Sequence, residues 1–235
     1  MPLKILLRKT SLVDYPGRIS TVLFFHGCNL RCPWCHNKEL VASETAGFVS
    51  LDAAFDHIQK RRNVLGGVVL SGGEPCLQSG LPDIISEIKK FQLPVKLDTN
   101  GTVPAMLEKL FKSAETKPDY IALDLKISPE RYGELGPDTG NRKLNLIQSA
   151  TLIREAGIEH EYRTLALPGG FITKKDIEAL APLTDNAPWH FMPFRGGNCL
   201  DPAWDTLEEP DGESRARTEA LAAKARELGK NALSL

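Results

Sequence analysis

The chain has 235 residues, 42% hydrophobic and 25% charged, the composition of a globular protein able to bury one sizeable core. Its 29 Lys and Arg against 30 Asp and Glu leave a formal charge of −1, without the basic excess that marks a nucleic-acid binder. No run reaches the ~20 apolar residues of a transmembrane helix, and the apolar stretch Ile5 to Leu7 is too short for a signal-peptide core. A cytoplasmic, reducing setting is expected, with neither membrane nor nucleic acid as a partner.

Short apolar runs alternate with amphipathic stretches along the chain. Ile19 to Phe25 predicts the first strand, rich in Val, Leu and Phe and apolar rather than alternating, as expected when both faces are covered. A long connection, His26 to Ser50, follows, and long connections usually carry function. Leu51, Ala54, Phe55 and Ile58 keep helical spacing before the second strand, Val68 to Leu70. Leu81, Ile84, Ile85 and Ile88 repeat that spacing before the third strand, Val95 to Leu97. Thr102 with Pro104 can open the next helix, and Tyr120 to Leu125 predicts the fourth strand. Tyr162 to Leu167 is the fifth strand, the Thr173 to Asp176 capping box opens another helix, and Trp189 to Phe194 is the sixth strand. Ala216 to Leu228, stopped by Gly229, reads as a final helix.

Six successive strand–helix units argue for a parallel sheet with helical crossovers. A complete eight-unit barrel takes ~250 residues. The expectation is therefore an α/β fold, a partial (β/α)6 barrel in one domain spanning 1–235, with a flat doubly wound sheet as the alternative. The polar residues that interrupt the runs gather at the carboxyl ends of the strands. They are Cys28, then Ser71-Gly72-Gly73-Glu74-Pro75, Asp98-Thr99-Asn100-Gly101, Asp124 with Lys126, and Arg195; Arg163 lies within the fifth strand. In parallel α/β folds that edge binds ligands.

The five cysteines are Cys28, Cys32, Cys35, Cys76 and Cys199. An odd number in a reducing compartment does not suit a disulfide framework. Cys28-x3-Cys32-x2-Cys35 offers three thiolates on one short loop, enough for three irons of a cubane [4Fe–4S] cluster, with the fourth iron open to an exogenous ligand. A structural zinc with His26 or His36 as fourth ligand is the competing reading, although no second knuckle is present. After the second strand, Gly72 and Gly73 let the backbone approach a ligand closely, Glu74 supplies an acceptor for a cationic group, and Pro75 stiffens the exit. Alone, that segment reads equally well as a tight turn.

Together these residues resemble the radical S-adenosylmethionine (SAM) superfamily. With Leu12-Val13-Asp14-Tyr15-Pro16-Gly17, His26-Gly27-Cys28-Asn29, Cys32-Pro33-Trp34-Cys35-His36-Asn37 and Gly197-Asn198-Cys199-Leu200-Asp201-Pro202, the resemblance narrows to the anaerobic ribonucleoside-triphosphate reductase activating proteins. It is strongest to the branch that also resembles pyruvate formate-lyase activating enzyme, and it extends from Leu12 to about Pro202.

The resemblance implies a six-unit partial barrel in which SAM chelates the open iron and is cleaved by one electron to methionine and a 5′-deoxyadenosyl radical. Cys28, Cys32 and Cys35 would hold the cluster, and Trp34 and Asn37 would flank the adenine, although a single tryptophan also serves as loop packing. Gly72, Gly73 and Glu74 would receive the methionine ammonium, and Thr99, Asp124 and Lys126 the carboxylate and ribose. An ordinary Asp–Lys ion pair is the alternative for the last two. Asp98 is a candidate to join Asp124 around a monovalent cation. Arg195 stands where the resembled pyruvate formate-lyase activases carry a ribose-contacting histidine, and an arginine is always charged and reaches further.

Cys76 is expected as a small buried filler and Cys199 as structural. His57, His160 and His190 receive no role. The implied partners are a glycyl-radical enzyme, with anaerobic ribonucleotide reductase foremost, and a low-potential electron donor such as flavodoxin or ferredoxin. The linker from Gly196 to Gly212 is the expected docking surface. A radical SAM enzyme acting on a small molecule or RNA, and a zinc-binding interaction module, are the alternative functions.

Overall fold

A computed structural model describes residues 3, 5–42, 47–137, 141–207 and 211–235. Parts of three stretches singled out in the sequence lie outside the described residues: 1, 2 and 4 of the N-terminus, 43–46 of the connection before Ser50, and 208–210 of the Gly196 to Gly212 linker.

In chain order the elements begin with β1 (Ile5–Ser11), β2 (Ser20–Phe25), α1 (Lys38–Ala42), β3 (Phe48–Val49), α2 (Leu51–Arg61) and β4 (Gly67–Gly72). Then come α3 (Leu81–Lys90), β5 (Val95–Thr99), α4 (Pro104–Leu110), β6 (Tyr120–Asp124) and α5 (Arg142–Glu155). The chain ends with β7 (Glu159–Ala166), α6 (Lys174–Leu180), β8 (Trp189–Pro193), α7 (Asp211–Glu227) and β9 (Ala232–Ser234). Every predicted strand is present, as β2, β4, β5, β6, β7 and β8. These elements fall into two compact units.

The first unit comprises Met1–Asn29, Glu39–Thr99 and Ala105–Ile121. Its strands are ordered β3-β1-β2-β4-β5. β2 pairs parallel with β4, Ser20 opposite Gly67 through Phe25 opposite Gly72, and β4 pairs parallel with β5. β1 adds antiparallel to β2, and β3 antiparallel to β1. Val22, Leu23, Val68, Val69, Leu70, Val95 and Leu97 are all fully buried, which fits runs that are apolar rather than alternating. α2 starts where the Ser50 hydroxyl accepts from the Ala53 amide at 3.2 Å. α3 buries Leu81, Ile84, Ile85 and Ile88, the stripe that its spacing predicts.

The second unit comprises Leu30–Lys38, Asn100–Pro104 and Ala122–Leu235. Here β7 pairs parallel with β8, Arg163 opposite His190 and Leu165 opposite Met192, and β8 pairs parallel with β9. The predicted capping box forms: Asp176 Oδ2 accepts from the Thr173 amide and hydroxyl, both at 2.8 Å. The buried face of α5 is Arg142, Leu146, Ser149, Ala150 and Ile153. Among the described residues, no helix is long and apolar enough to cross a membrane.

Candidate active site

In the first unit, the turn after β4 is pressed against the start of the cysteine loop. Gly72 has φ +127°, and a Cβ there would lie 2.3 Å from the Phe25 nitrogen. A Cβ on Gly73 would lie 2.1 Å from the Gly27 oxygen and 3.2 Å from Cys28 Cβ. Only glycine fits either place. The contact is tied by the Gly73 amide to Phe25 O at 2.9 Å and the Glu74 amide to Gly27 O at 2.8 Å. Gln78 Nε2 adds a bond to His26 O at 3.1 Å, and the His26 ring packs edge-on against Phe48.

Glu74, expected to receive an ammonium, is buried, and its Oε1 accepts from the Cys76 amide at 3.0 Å and from Thr99 Oγ1 at 2.8 Å. One carboxylate oxygen thus braces the turn to the end of β5, holding together two residues assigned separately from sequence. Cys76 is buried as expected, its thiol 3.5 Å from Thr99 Oγ1. Burial, then the charge of Glu74, pushes that thiol well up, so it stays protonated and inert.

In the second unit, a cavity of about 170 Å³ is lined by Trp34, Asp124, Leu125, Lys126, Arg163, Leu165 and Met192. Ligand pockets for whole drug-sized molecules start near ~300 Å³, so this one has room for only part of such a molecule. Arg163 Nε lies 2.8 Å from Asp124 Oδ1, and Lys126 Nζ lies 3.3 Å from Asp124 Oδ2. Burial alone would raise the Asp124 carboxyl, but Arg163 and Lys126 outweigh it and hold it below the usual carboxylate range. Burial works to lower Lys126, yet Asp124 and then the Cys32, Tyr132 and Cys35 side chains raise it, so it stays charged. The Asp–Lys ion pair, the alternative reading of these two residues, is therefore present as two members of a three-membered group. Arg163, noted in the sequence without a role, completes it.

The fully buried Tyr132 fixes that group from behind. Its hydroxyl accepts from the Lys126 amide at 3.1 Å and sits 3.4 Å from the Asp124 carbonyl oxygen. Nothing in the sequence marked it, because a tyrosine in a polar stretch carries no spacing signal.

Trp34 is buried and stacks edge-on against Phe171 at 5.0 Å and tilted against Trp204 at 5.4 Å between centroids. It is thus packed, as the loop-packing reading expects, and it also forms a wall of the cavity. The segment after β8 straps onto this loop: the Asp201 amide bonds Pro33 O at 2.9 Å, and Asn198 Nδ2 bonds His36 O at 3.1 Å. Cys199 is fully buried under the strap with its amide bonded to Asp205, and burial followed by Asp205 pushes its thiol up to about 11. Cys199 therefore presents no surface, unlike the exposed Asp201 in the same linker. Asn37 and Arg195, both expected at SAM, are exposed and do not line the cavity. His36 packs on Phe194.

The chemistry of the donors suits the group implied by the sequence. Cys32 is buried and Cys35 half-buried, joined by a turn from the Cys35 amide to Cys32 O at 3.0 Å. The Lys126 ammonium is near enough to interact electrostatically with both of these side chains, and cysteine sulfurs are the donors that hold iron–sulfur clusters. Among the described residues no three His, Cys, Asp or Glu side chains converge as around one metal ion. A cubane gives each thiolate its own iron and requires no such convergence.

Residues 22–182 match the family model for the radical SAM superfamily. The chain is 34% identical to the candidate glycyl-radical enzyme activating enzyme MJ1227 of Methanocaldococcus jannaschii, over 73% of this chain and 70% of that protein. It is 31% identical to the pyruvate formate-lyase-activating enzyme of Clostridium pasteurianum, over 77% of this chain and 75% of that one. The fold is that of SuiB from Streptococcus suis, crystallised with S-adenosylmethionine, with a TM-score of 0.64 at 14% identity over 91% of this chain. This chain spans about half, 51%, of the SuiB chain. The expected α/β architecture, a mostly parallel sheet of the partial-barrel kind, is thus borne out, with β1, β3 and β9 added to the predicted strands. The cofactors of this family are a [4Fe–4S] cluster and SAM, and the chain belongs to the radical SAM superfamily.

Proposed function

We propose that the protein is an activase that removes a hydrogen atom from a backbone glycine of a partner enzyme, leaving a stored glycyl radical. The observation that carries this reading is that its curated relatives, at 34% and 31% identity, bear the names of glycyl-radical enzyme and pyruvate formate-lyase activating enzymes. Cys28, Cys32 and Cys35 would hold the cluster, which when bound would supply the electron for reductive cleavage of SAM.

The chain's own residues bind and orient. Asp124, kept ionised by Arg163 and Lys126, accepts hydrogen bonds from ribose hydroxyls, and Trp34 offers an aromatic face to adenine. Gly72 and Gly73 open the backbone to the methionine end, Glu74 receives its ammonium, and Thr99 lies at the same braced strand end. Asn37 and Arg195 are assigned to the outer rim of the SAM site, where their exposure leaves them free to close over a bound molecule. Leu165 and Met192 give an apolar wall that keeps water from a radical.

The partner favoured is an anaerobic ribonucleotide reductase, and the electron donor a low-potential flavodoxin or ferredoxin in a reducing cytoplasm. The test mixes reduced, reconstituted protein with SAM and that reductase under anaerobic conditions. A carbon-centred doublet by electron paramagnetic resonance, appearing with 5′-deoxyadenosine, is expected. Deoxyadenosine without the doublet in any glycyl-radical enzyme would transfer the reading to a small-molecule or RNA substrate.

A further inference from the structure

β5 carries a lysine where a strand buried on both faces ordinarily carries an apolar residue. Lys96 is 2% exposed and stands opposite Val69 of β4. Taking an ammonium out of water is costly unless it gains well-placed partners. Its Nζ donates to the Asp14 carbonyl oxygen at 2.7 Å, lies 3.2 Å from Asp98 Oδ1, and stands 5.8 Å from the centroid of the Tyr120 ring. A carbonyl oxygen, a carboxylate oxygen and an aromatic face are the surroundings that hold a small cation.

Asp98 is two residues further along β5, so both side chains project from the same face of the strand. It too is nearly buried, at 7% exposure. The carbonyl comes from the Leu12–Gly17 turn, a motif for which the site above has no use. That turn is fixed. Tyr15 is buried against Val22, Val69 and Tyr120, and its ring is so near Gly67 that a Cβ there would touch it at 2.8 Å. The Asp14 carboxylate is held by Ser11 Oγ at 2.5 Å and Arg8 at 3.2 Å. The Asp14 carbonyl is therefore aimed before anything binds.

We propose that Lys96 is a built-in counter-ion, taking at Asp98 the place that a bound monovalent cation would take and tying the Asp98–Thr99 strand end to the Leu12–Gly17 turn. The inference rests on the reading of that strand end as part of the SAM site. Its consequence is that SAM binding needs no added monovalent cation.

SAM is titrated against the cluster-loaded protein in potassium chloride and in choline chloride of equal ionic strength. Wild-type affinity should agree within about twofold, far below the effect of one charged hydrogen bond. Lys96→Met keeps the length and removes the charge. It should bind SAM at least about tenfold more weakly in choline, the scale of one such bond, and recover in potassium. Thermal melts of the cluster-free protein give a second readout: Lys96→Met should melt higher in potassium than in choline. If Lys96→Met does not fold in choline, the double variant Lys96→Met/Asp98→Asn, which removes both charges of the pair, should fold and ignore the salt. A wild type that loses SAM affinity about tenfold in choline, or a Lys96→Met protein indifferent to potassium in both measurements, overturns the proposal. Failure of wild type to bind SAM in either salt would instead overturn the SAM-site reading.

Discussion

Arg163 on β7 closes onto Asp124 at the end of β6, Nε to Oδ1 2.8 Å, while Lys126 faces the other carboxylate oxygen at 3.3 Å. Two cations on one carboxylate do more than an exposed ion pair, because all three side chains are only 20–29% exposed and line one small cavity. Arg163→Ala and Asp124→Ala should each weaken SAM binding by about 1.5–3 kcal/mol, the worth of a hydrogen bond to a charged group, with iron content unchanged. Titration of SAM against the loaded protein checks this, and unaltered affinity in both variants would reduce the pair to a structural role.

The same pair sets a pH dependence. The folded-state Asp124 carboxyl lies below its unfolded value. Its contribution to stability is therefore complete above the ordinary aspartate value of about 4 and is lost as pH falls through the lower folded value. Asp124→Asn should accordingly destabilise the protein at neutral pH and lose less stability than wild type on acidification below about pH 4. Melting temperatures of both proteins across that range decide it, and parallel curves would contradict the assignment.

The cysteines divide by burial and company. Cys28→Ala, Cys32→Ala or Cys35→Ala should abolish iron binding, because a cubane with three protein thiolates cannot spare one. Cys76→Ala and Cys199→Ala should keep the iron, since both thiols are buried and held protonated. Iron and sulfide analysis of reconstituted variants is the measurement, and full iron in Cys32→Ala would refute the ligand set.

Much of this was readable in the residues. Runs apolar rather than alternating marked β2, β4, β5, β6, β7 and β8, since strands covered on both faces need no alternation. β1 escaped because its middle, Arg8 and Lys9, is exposed and its pattern is only half apolar. β3 and β9 are two and three residues long, too short for any periodicity. α5 was not singled out because its buried face includes Arg142 and Ser149 beside Leu146, Ala150 and Ile153, which blurs the stripe. At the site, Asp124 and Lys126 stood out by position at a strand end. Trp204 reaches the site only through long-range folding, and Tyr132, though six residues from Lys126, sits in a short 3-10 turn that has no periodicity to reveal it.

The glycine pair after β4 gives a test of packing rather than chemistry. Gly72→Ala and Gly73→Ala force a Cβ to within 2.3 and 2.1 Å of backbone atoms next to the cysteine loop. Each should cost at least about 1–3 kcal/mol, the usual penalty of overpacking, and lower the iron content as well. Gly133→Ala, whose Cβ would meet nothing within 4 Å, is the control and should stay near wild type. Chemical denaturation with parallel iron assay distinguishes them, and a Gly73→Ala protein as stable as the control would refute the contact.

Tyr132→Phe removes one hydroxyl and no volume. It should cost about 0.5–1.5 kcal/mol of stability and weaken SAM binding modestly, because Asp124 and Lys126 lose their shared brace. Calorimetric titration of SAM shows whether binding moves with stability.

In the proposed activity a hydrogen atom passes from a partner's glycine to the deoxyadenosyl group. A glycyl-radical enzyme made with α-deuterated glycine, mixed anaerobically with the reduced protein and SAM, tests it by mass spectrometry of the 5′-deoxyadenosine formed. Deuterium in that product, together with the radical signal on the partner, is the predicted result. Deoxyadenosine free of deuterium, with every glycyl-radical partner left without a radical, would contradict it.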